Sequence, residues 1–215
     1  MKKYYGNVID KLSKHYDRLS KKYGTNVRAA QQSSNNTRNK RIKILISEIN
    51  FKKKNSILDF GCGSGYLYNY IFKYKKFKGI YKGIDISEKA INLAKKKYIN
   101  KKKVSFEKQN IFREKLKKNY DYILINGTFN NHTINNNDWM NDCLRILFRN
   151  TNKALIFNNL NYYVDYKVPS LFYIKPEEVF KFCKKNLSNL VTLRNDYRIK
   201  KNTIPFEFTT FVYKE

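Results

Sequence analysis

The sequence predicts an α/β fold: a seven-stranded, mostly parallel sheet with helices on both faces, closed by an antiparallel C-terminal hairpin. Three observations predict it. Apolar runs alternate with helical patterns from Ser56 onward, and a glycine-rich turn joins the first strand of that alternation to its helix. Two apolar runs separated only by polar turn residues finish the chain.

The elements follow in order. Val8, Leu12, Tyr16 and Leu19 recur at helical spacing, whereas residues 24–40, rich in Gln, Ser and Asn, carry no period. Ile42, Leu45, Ile46 and Ile49 form one apolar face of a further helix. Ser56–Phe60 is a short apolar strand ending in Gly61-Cys62-Gly63-Ser64-Gly65, and Tyr66–Lys73 reads as a helix. Gly79–Asp85 is a second strand, and Ser87 is placed to cap a helix through Lys96. Val104–Glu107 and Tyr120–Ile125 are strands, followed by a helix around Trp139, Cys143, Ile146 and Leu147. Ala154–Phe157 is the fifth strand. Pro176 at a first helical position, with Glu177 and Glu178 behind it, opens a helix to Lys185. Leu190–Leu193 and Phe206–Tyr213 pair as the closing hairpin. No repeat or Pro/Gly-rich linker divides the chain. It reads as one structural domain, with residues 1–50 an N-terminal helical segment or lid packed on a core of residues 51–215.

At 215 residues and 41% hydrophobic, the chain is long and apolar enough for a substantial core. It has no run of about 18 apolar residues, so no membrane partner is expected. Met1-Lys2-Lys3-Tyr4-Tyr5 leads into polar residues, so no secretory signal is expected either. Cys62, Cys143 and Cys183 are odd in number and share no metal-ligand spacing, which points to reduced thiols in the cytoplasm and to no metal. Forty-five Lys+Arg against 17 Asp+Glu give a net charge of +28. That charge suits a polyanionic partner such as nucleic acid. It equally suits AT-rich codons, since Lys, Asn, Ile, Tyr and Phe are all abundant. The basic residues favour the second explanation, being scattered in pairs and triplets such as Lys52–Lys54 and Lys101–Lys103 rather than lined up on one helix.

In a parallel sheet of this kind ligands bind beyond the C-terminal strand edges. There the strongest signal is Asp59-Phe60-Gly61-Cys62-Gly63-Ser64-Gly65. Glycines permit positive φ and let a ligand approach the backbone, and the following helix start aims amide N–H groups at it. Asp85, at the end of the next strand, is spaced to accept hydrogen bonds from both hydroxyls of an adenosine ribose. Tyr66 stands where a dinucleotide fingerprint has its third glycine, and Asp59 is an acid that suits an ammonium better than a pyrophosphate. The loop therefore favours S-adenosylmethionine (SAM) over NAD.

With these motifs the chain resembles the class I SAM-dependent methyltransferases, over nearly all of Asn55–Lys214. Leu58–Gly65 matches the first family motif, including Asp59, Gly61, Cys62 and Gly63, and Gly83-Ile84-Asp85-Ile86-Ser87 the second. The resemblance implies a Rossmann-like fold, SAM as cofactor and S-adenosylhomocysteine (SAH) as product. It also implies that Asp85 holds the ribose and Ile86 packs on adenine. Gln109-Asn110-Ile111-Phe112 is similar to the third motif, which implies that Asn110 and Ile111 flank the adenine ring. Asn126-Gly127-Thr128-Phe129 stands where the family's loop passes the methionine moiety. More narrowly, Tyr23-Gly24, Ala29–Leu45, Ile125–Asn130, Leu193–Tyr197 and Phe206–Thr209 resemble small bacterial methyltransferases of surface-glycan or natural-product pathways. Gln32 replaces the tryptophan common in that group.

The expected reaction is methyl transfer to O or N of a small metabolite, with a sugar or nucleotide-sugar as the leading class. RNA or DNA methylation is the alternative. A hydroxyl acceptor needs its proton removed, and His132, just past the 126–130 loop, is the candidate base. Tyr162, Tyr163 and Tyr166 are candidates to wall an acceptor pocket.

Overall fold

The computed structural model describes residues 5–215. The leader reading at Met1–Tyr4 lies outside the described residues. The chain opens with α1 (Gly6–Tyr23), a short 3₁₀ helix (Val27–Ala30) and α2 (Asn35–Leu45). The alternation then runs β1 (Ser56–Phe60), α3 (Tyr66–Lys75), β2 (Ile80–Asp85), α4 (Glu88–Lys97) and β3 (Val104–Lys108). Next come β4 (Tyr120–Ile125), α5 (Asn136–Arg149), β5 (Thr151–Asn161), β6 (Tyr173–Ile174), α6 (Pro176–Asn186), β7 (Val191–Arg194) and β8 (Glu207–Tyr213).

The sheet order is β3-β2-β1-β4-β5-β8-β7. Pairs among β1 to β5 are parallel, while β8 runs antiparallel to both β5 and β7. An eighth strand joins the expected seven: the two residues of β6 extend the sheet beside the end of β5. So brief a strand leaves no alternating pattern for a sequence reading to find. Strand side chains alternate between two helical layers with the period of two that a pleated strand imposes. Leu58, Phe60, Ile123, Ile125, Leu155 and Phe157 pack with α5, α6 and Ile9 of α1. Ile57, Leu124 and Ile156 pack on the opposite face with α2, α3 and α4.

The N-terminal region differs from its expected form. Residues 24–40 were expected without pattern, yet α2 starts at Asn35. Its start is fixed by a cap: the Ser34 hydroxyl accepts from the Thr37 N–H at 3.2 Å. Capping offsets the poor helix propensity of Asn and Thr in the first turn. The helix ends at Leu45, but Ile46 and Ile49 still bury in the same core as Ile42 and Leu45. Three hydrogen bonds help to hold helix α1 over the C-terminal strand edge. Asp17 accepts from the Ser87 hydroxyl (2.7 Å) and the Lys89 N–H (3.1 Å) at the start of α4, and Ser13 donates to the Ile86 carbonyl at 2.9 Å.

Candidate active site

The glycine loop takes its shape from backbone conformations that β-carbons disfavour. Gly61, Gly63 and Gly65 have φ of 77°, 53° and 76°. The Gly61 and Cys62 N–H groups both donate to the Ile84 carbonyl, at 2.9 and 3.1 Å, pinning the loop to the end of β2. Asp85 tightens it further, accepting from Gly63 N–H and Ser87 N–H at 2.8 Å each. Burial pushes the Asp85 carboxyl above its ordinary range, and those amides pull it back. Each carboxylate oxygen still has a lone pair for another donor.

Beside this loop a cavity of about 910 Å³ opens between the C-terminal strand edge, α1 and residues 24–33. It lies near the upper end of ordinary ligand-site volumes, roughly 300–1,000 Å³. Gly61, Gly63, Asp85 and Ile86 line it, as do Asn110, Ile111, Asn126 and Gly127 on two further strand-end loops. Topology brings these four strand-end segments together, because β3, β2, β1 and β4 are parallel neighbours ending at the same edge.

Five of the residues singled out in the sequence stand elsewhere. Asp59 is buried behind the loop, where the Tyr81 hydroxyl donates to it. Desolvation pushes its carboxyl up to about 7, against the opposing pull of the Tyr81 hydrogen bond and Arg38. Cys62 is also buried, its thiol pushed well up by burial, so it packs as a small apolar side chain. His132 is exposed and is not among the residues lining the cavity; its backbone N–H donates to the Ser170 carbonyl at 2.9 Å. Of the three tyrosines, Tyr166 lines the cavity, and Tyr162 and Tyr163 stand exposed outside it.

The structure adds Arg38 and Tyr16, which the sequence did not single out as site residues, and gives new detail on others that it did name. Arg38 of α2 lines the cavity at only 7% exposure. Its guanidinium lies 3.8 Å from the Tyr66 ring centroid, and Nη1 has no hydrogen-bond partner among the described residues. Burial lowers its pKa to about 10. One signal was available, since Arg38, Ile42 and Leu45 fall at i, i+4 and i+7 and so share the buried face of α2. Gln109 Oε1, Asn126 Oδ1 and Gln32 Oε1 are likewise buried, unpartnered and on cavity-lining residues. Buried polar atoms rarely stay unpaired, so this set marks where a polar ligand would be held. Tyr16 of α1 completes the wall, its hydroxyl accepting from Asn131 Nδ2 at 2.6 Å.

A glycine loop, a strand-end carboxylate and a polar cavity on this sheet order define a nucleoside-binding α/β enzyme. Residues 51–200 match the family model described as a methyltransferase domain, and the chain belongs to that family. A relative in Mycobacterium tuberculosis (strain ATCC 25618 / H37Rv), named "Putative methyltransferase Rv1506c", is 29% identical over 165 residues, covering 74% of this chain and 93% of that one. Among solved structures, the plantazolicin methyltransferase BpumL in complex with a triazolic desmethylPZN analog and SAH shares the fold with a TM-score of 0.65. Identity is 17%, over 97% of this chain and 99% of that one. The magnesium protoporphyrin IX methyltransferase ChlM from Synechocystis PCC 6803 with bound SAM has a TM-score of 0.63 at 16% identity, over 94% of this chain and 92% of that one.

Proposed function

We propose that this chain is a SAM-dependent methyltransferase acting on O or N of a small metabolite, with a sugar or nucleotide-sugar as the acceptor class. The observation that carries the reading is the set of unpartnered buried polar atoms around the glycine loop and Asp85 in one cavity. Those groups fit the cofactor. Asp85 would accept from the ribose hydroxyls, and Ile86 and Ile111 would sandwich adenine, with Asn110 and Gln109 at its edge. Arg38 would pair with the amino-acid carboxylate, a charge-assisted contact that its free Nη1 is suited to make. Asn126 and Gly127 would face the methionine moiety. Bound SAM supplies a methyl group on a sulfonium, already activated toward a nucleophile.

The protein's part is then to orient the acceptor in line and exclude water. Asn130, Tyr166, Tyr173, Arg198 and Lys200 also line the cavity. Aromatic faces beside cations suit a sugar ring that carries phosphate. Three free, buried cysteines accord with a cytoplasmic setting. Among the described residues, no helix is long and apolar enough to cross a membrane.

The test combines calorimetry with methyl labelling. SAM and SAH should bind and NADH should not, and label from SAM should enter small metabolites, nucleotide-sugars foremost, but not total RNA or DNA. Labelled RNA would sink the small-molecule reading, and NADH binding without SAM binding would sink the cofactor.

A further inference from the structure

A hydrogen-bonded chain runs along the side of this cavity and joins three elements that border it. Arg41 of α2 donates from Nε to both oxygens of Glu207, at 2.7 and 2.9 Å, and from Nη2 to Oε1. Glu207, the first residue of β8, is 1% exposed. Its Oε2 accepts from Asn158 Nδ2 of β5 at 3.3 Å, and Asn158 Oδ1 accepts from Gly127 N–H at 2.7 Å. Arg41, Glu207 and Gly127 all line the cavity, and Arg38 lies one helical turn before Arg41 on α2.

The chain has a fixed direction. A guanidinium and a backbone N–H can only donate, and a carboxylate can only accept. Asn158 must therefore turn its amide nitrogen to Glu207 and its oxygen to Gly127. The carboxylate thus sets the amide orientation that holds Gly127, at φ 76°, in the loop facing the cavity. A buried ion pair adds little net stability over an apolar pair, so stability alone gives it little reason to be here.

We propose that Glu207 is a positioning residue: through Asn158 it fixes the Gly127 loop, and through Arg41 it ties that loop to the helix carrying Arg38. The functional consequence rests on the SAM reading above, since Arg38 and Gly127 then hold the two sides of the cofactor's amino-acid end. The hydrogen-bond relay itself stands without it.

The test measures hydrogen exchange at the Gly127 amide in the full chain without ligand. Glu207→Gln and Asn158→Asp should each speed that exchange about tenfold or more, because each leaves two donors or two acceptors facing one another. The pair combined restores alternation at unchanged net charge. The amide nitrogen at position 207 then donates to the carboxylate at position 158, which accepts from Gly127. Exchange in the double variant should return to within about threefold of the parent protein. A double variant as fast as either single one overturns the relay, as does unchanged Gly127 exchange in Glu207→Gln. If a single variant fails to fold, a folded double variant with parental exchange still supports it. Calorimetry with SAH on the same proteins judges the consequence: affinity should drop and recover in step with Gly127. Affinity flat across all four overturns the positioning role. Failure of the parent protein to bind SAH condemns the cofactor reading, while the exchange data still decide the relay.

Discussion

The glycine loop at residues 61–65 and the N-terminal roof at residues 24–45 border the same cavity, yet they are specified in opposite ways. The loop is local chemistry: three glycines with positive φ between a strand and a helix, closed by a carboxylate from the adjoining strand. The roof is held by partners far along the chain. Arg41 reaches Glu207, Tyr66 donates to Asn39, and Arg38 lies on Tyr66. A function that depends on both regions is thus half written in short-range spacing and half in long-range contacts.

The largest expected effect tests the local half. A β-carbon on Gly61 would stand 2.2 Å from Thr128 Oγ1, whose hydroxyl donates to the Phe60 carbonyl at 3.0 Å. Thr128 is short and branched and has little freedom to move aside. Gly61→Ala should lower SAH affinity about 100-fold or more, because the loop must deform to accommodate it. Gly63→Ala meets nothing within 4 Å and carries only its φ of 53°. It should cost about 1–2 kcal/mol of stability and weaken SAH binding, if the ligand approaches that backbone as proposed. Thermal melts and calorimetry on both variants separate the two mechanisms. Parental affinity in Gly61→Ala would break the comparison at its stronger side.

The same contrast explains what was legible in the sequence. Strands β1 and β4 and the capping Ser87 appear where their patterns put them, since buried parallel strands read as apolar runs and a cap acts within three residues. Most of the cofactor positions implied by the family's motifs reach the cavity because each follows a strand that ends at the same sheet edge, Asp59 and Cys62 being the exceptions. Arg38 and Tyr16 were not singled out as site residues, because their roles depend on how α1 and α2 pack across the strand edge. Asp59 illustrates a subtler limit. Its motif position marks the right loop, but only the fold shows that the carboxyl lies behind the loop, accepting from Tyr81.

A smaller effect probes the roof. Arg38→Met keeps an apolar stem against Tyr66 and removes the charge. SAH affinity should fall about tenfold, the low end for a charge-assisted hydrogen bond. Affinity for 5′-methylthioadenosine, which lacks the amino-acid end, should not change. The free variant should melt no lower than the parent, since a buried, incompletely paired cation adds little to stability. Equal losses for both ligands would move Arg38 away from the carboxylate.

A pH-dependent effect belongs to Asp59, on the boundary between the two regions. Its carboxyl is pushed up to about 7 from an ordinary 3.8, with desolvation as the main cause. Between those values the folded chain holds a proton that the unfolded chain has released. Stability from this group is therefore complete below about pH 4, declines as pH rises toward 7, and is flat above. Carboxylates that pair in the fold have the opposite slope; the hydrogen bond from Lys82 holds Glu107 below its ordinary value. Asp59→Asn keeps an acceptor for Tyr81 and cannot ionise, so comparing the two proteins cancels those other groups. The variant should gain on the parent steadily from about pH 5 to 7 and hold a constant advantage above it, in melts without ligand. A pH-independent difference would mean that Asp59 is ionised throughout, as expected of a carboxylate facing the cavity rather than one sealed behind the glycine loop.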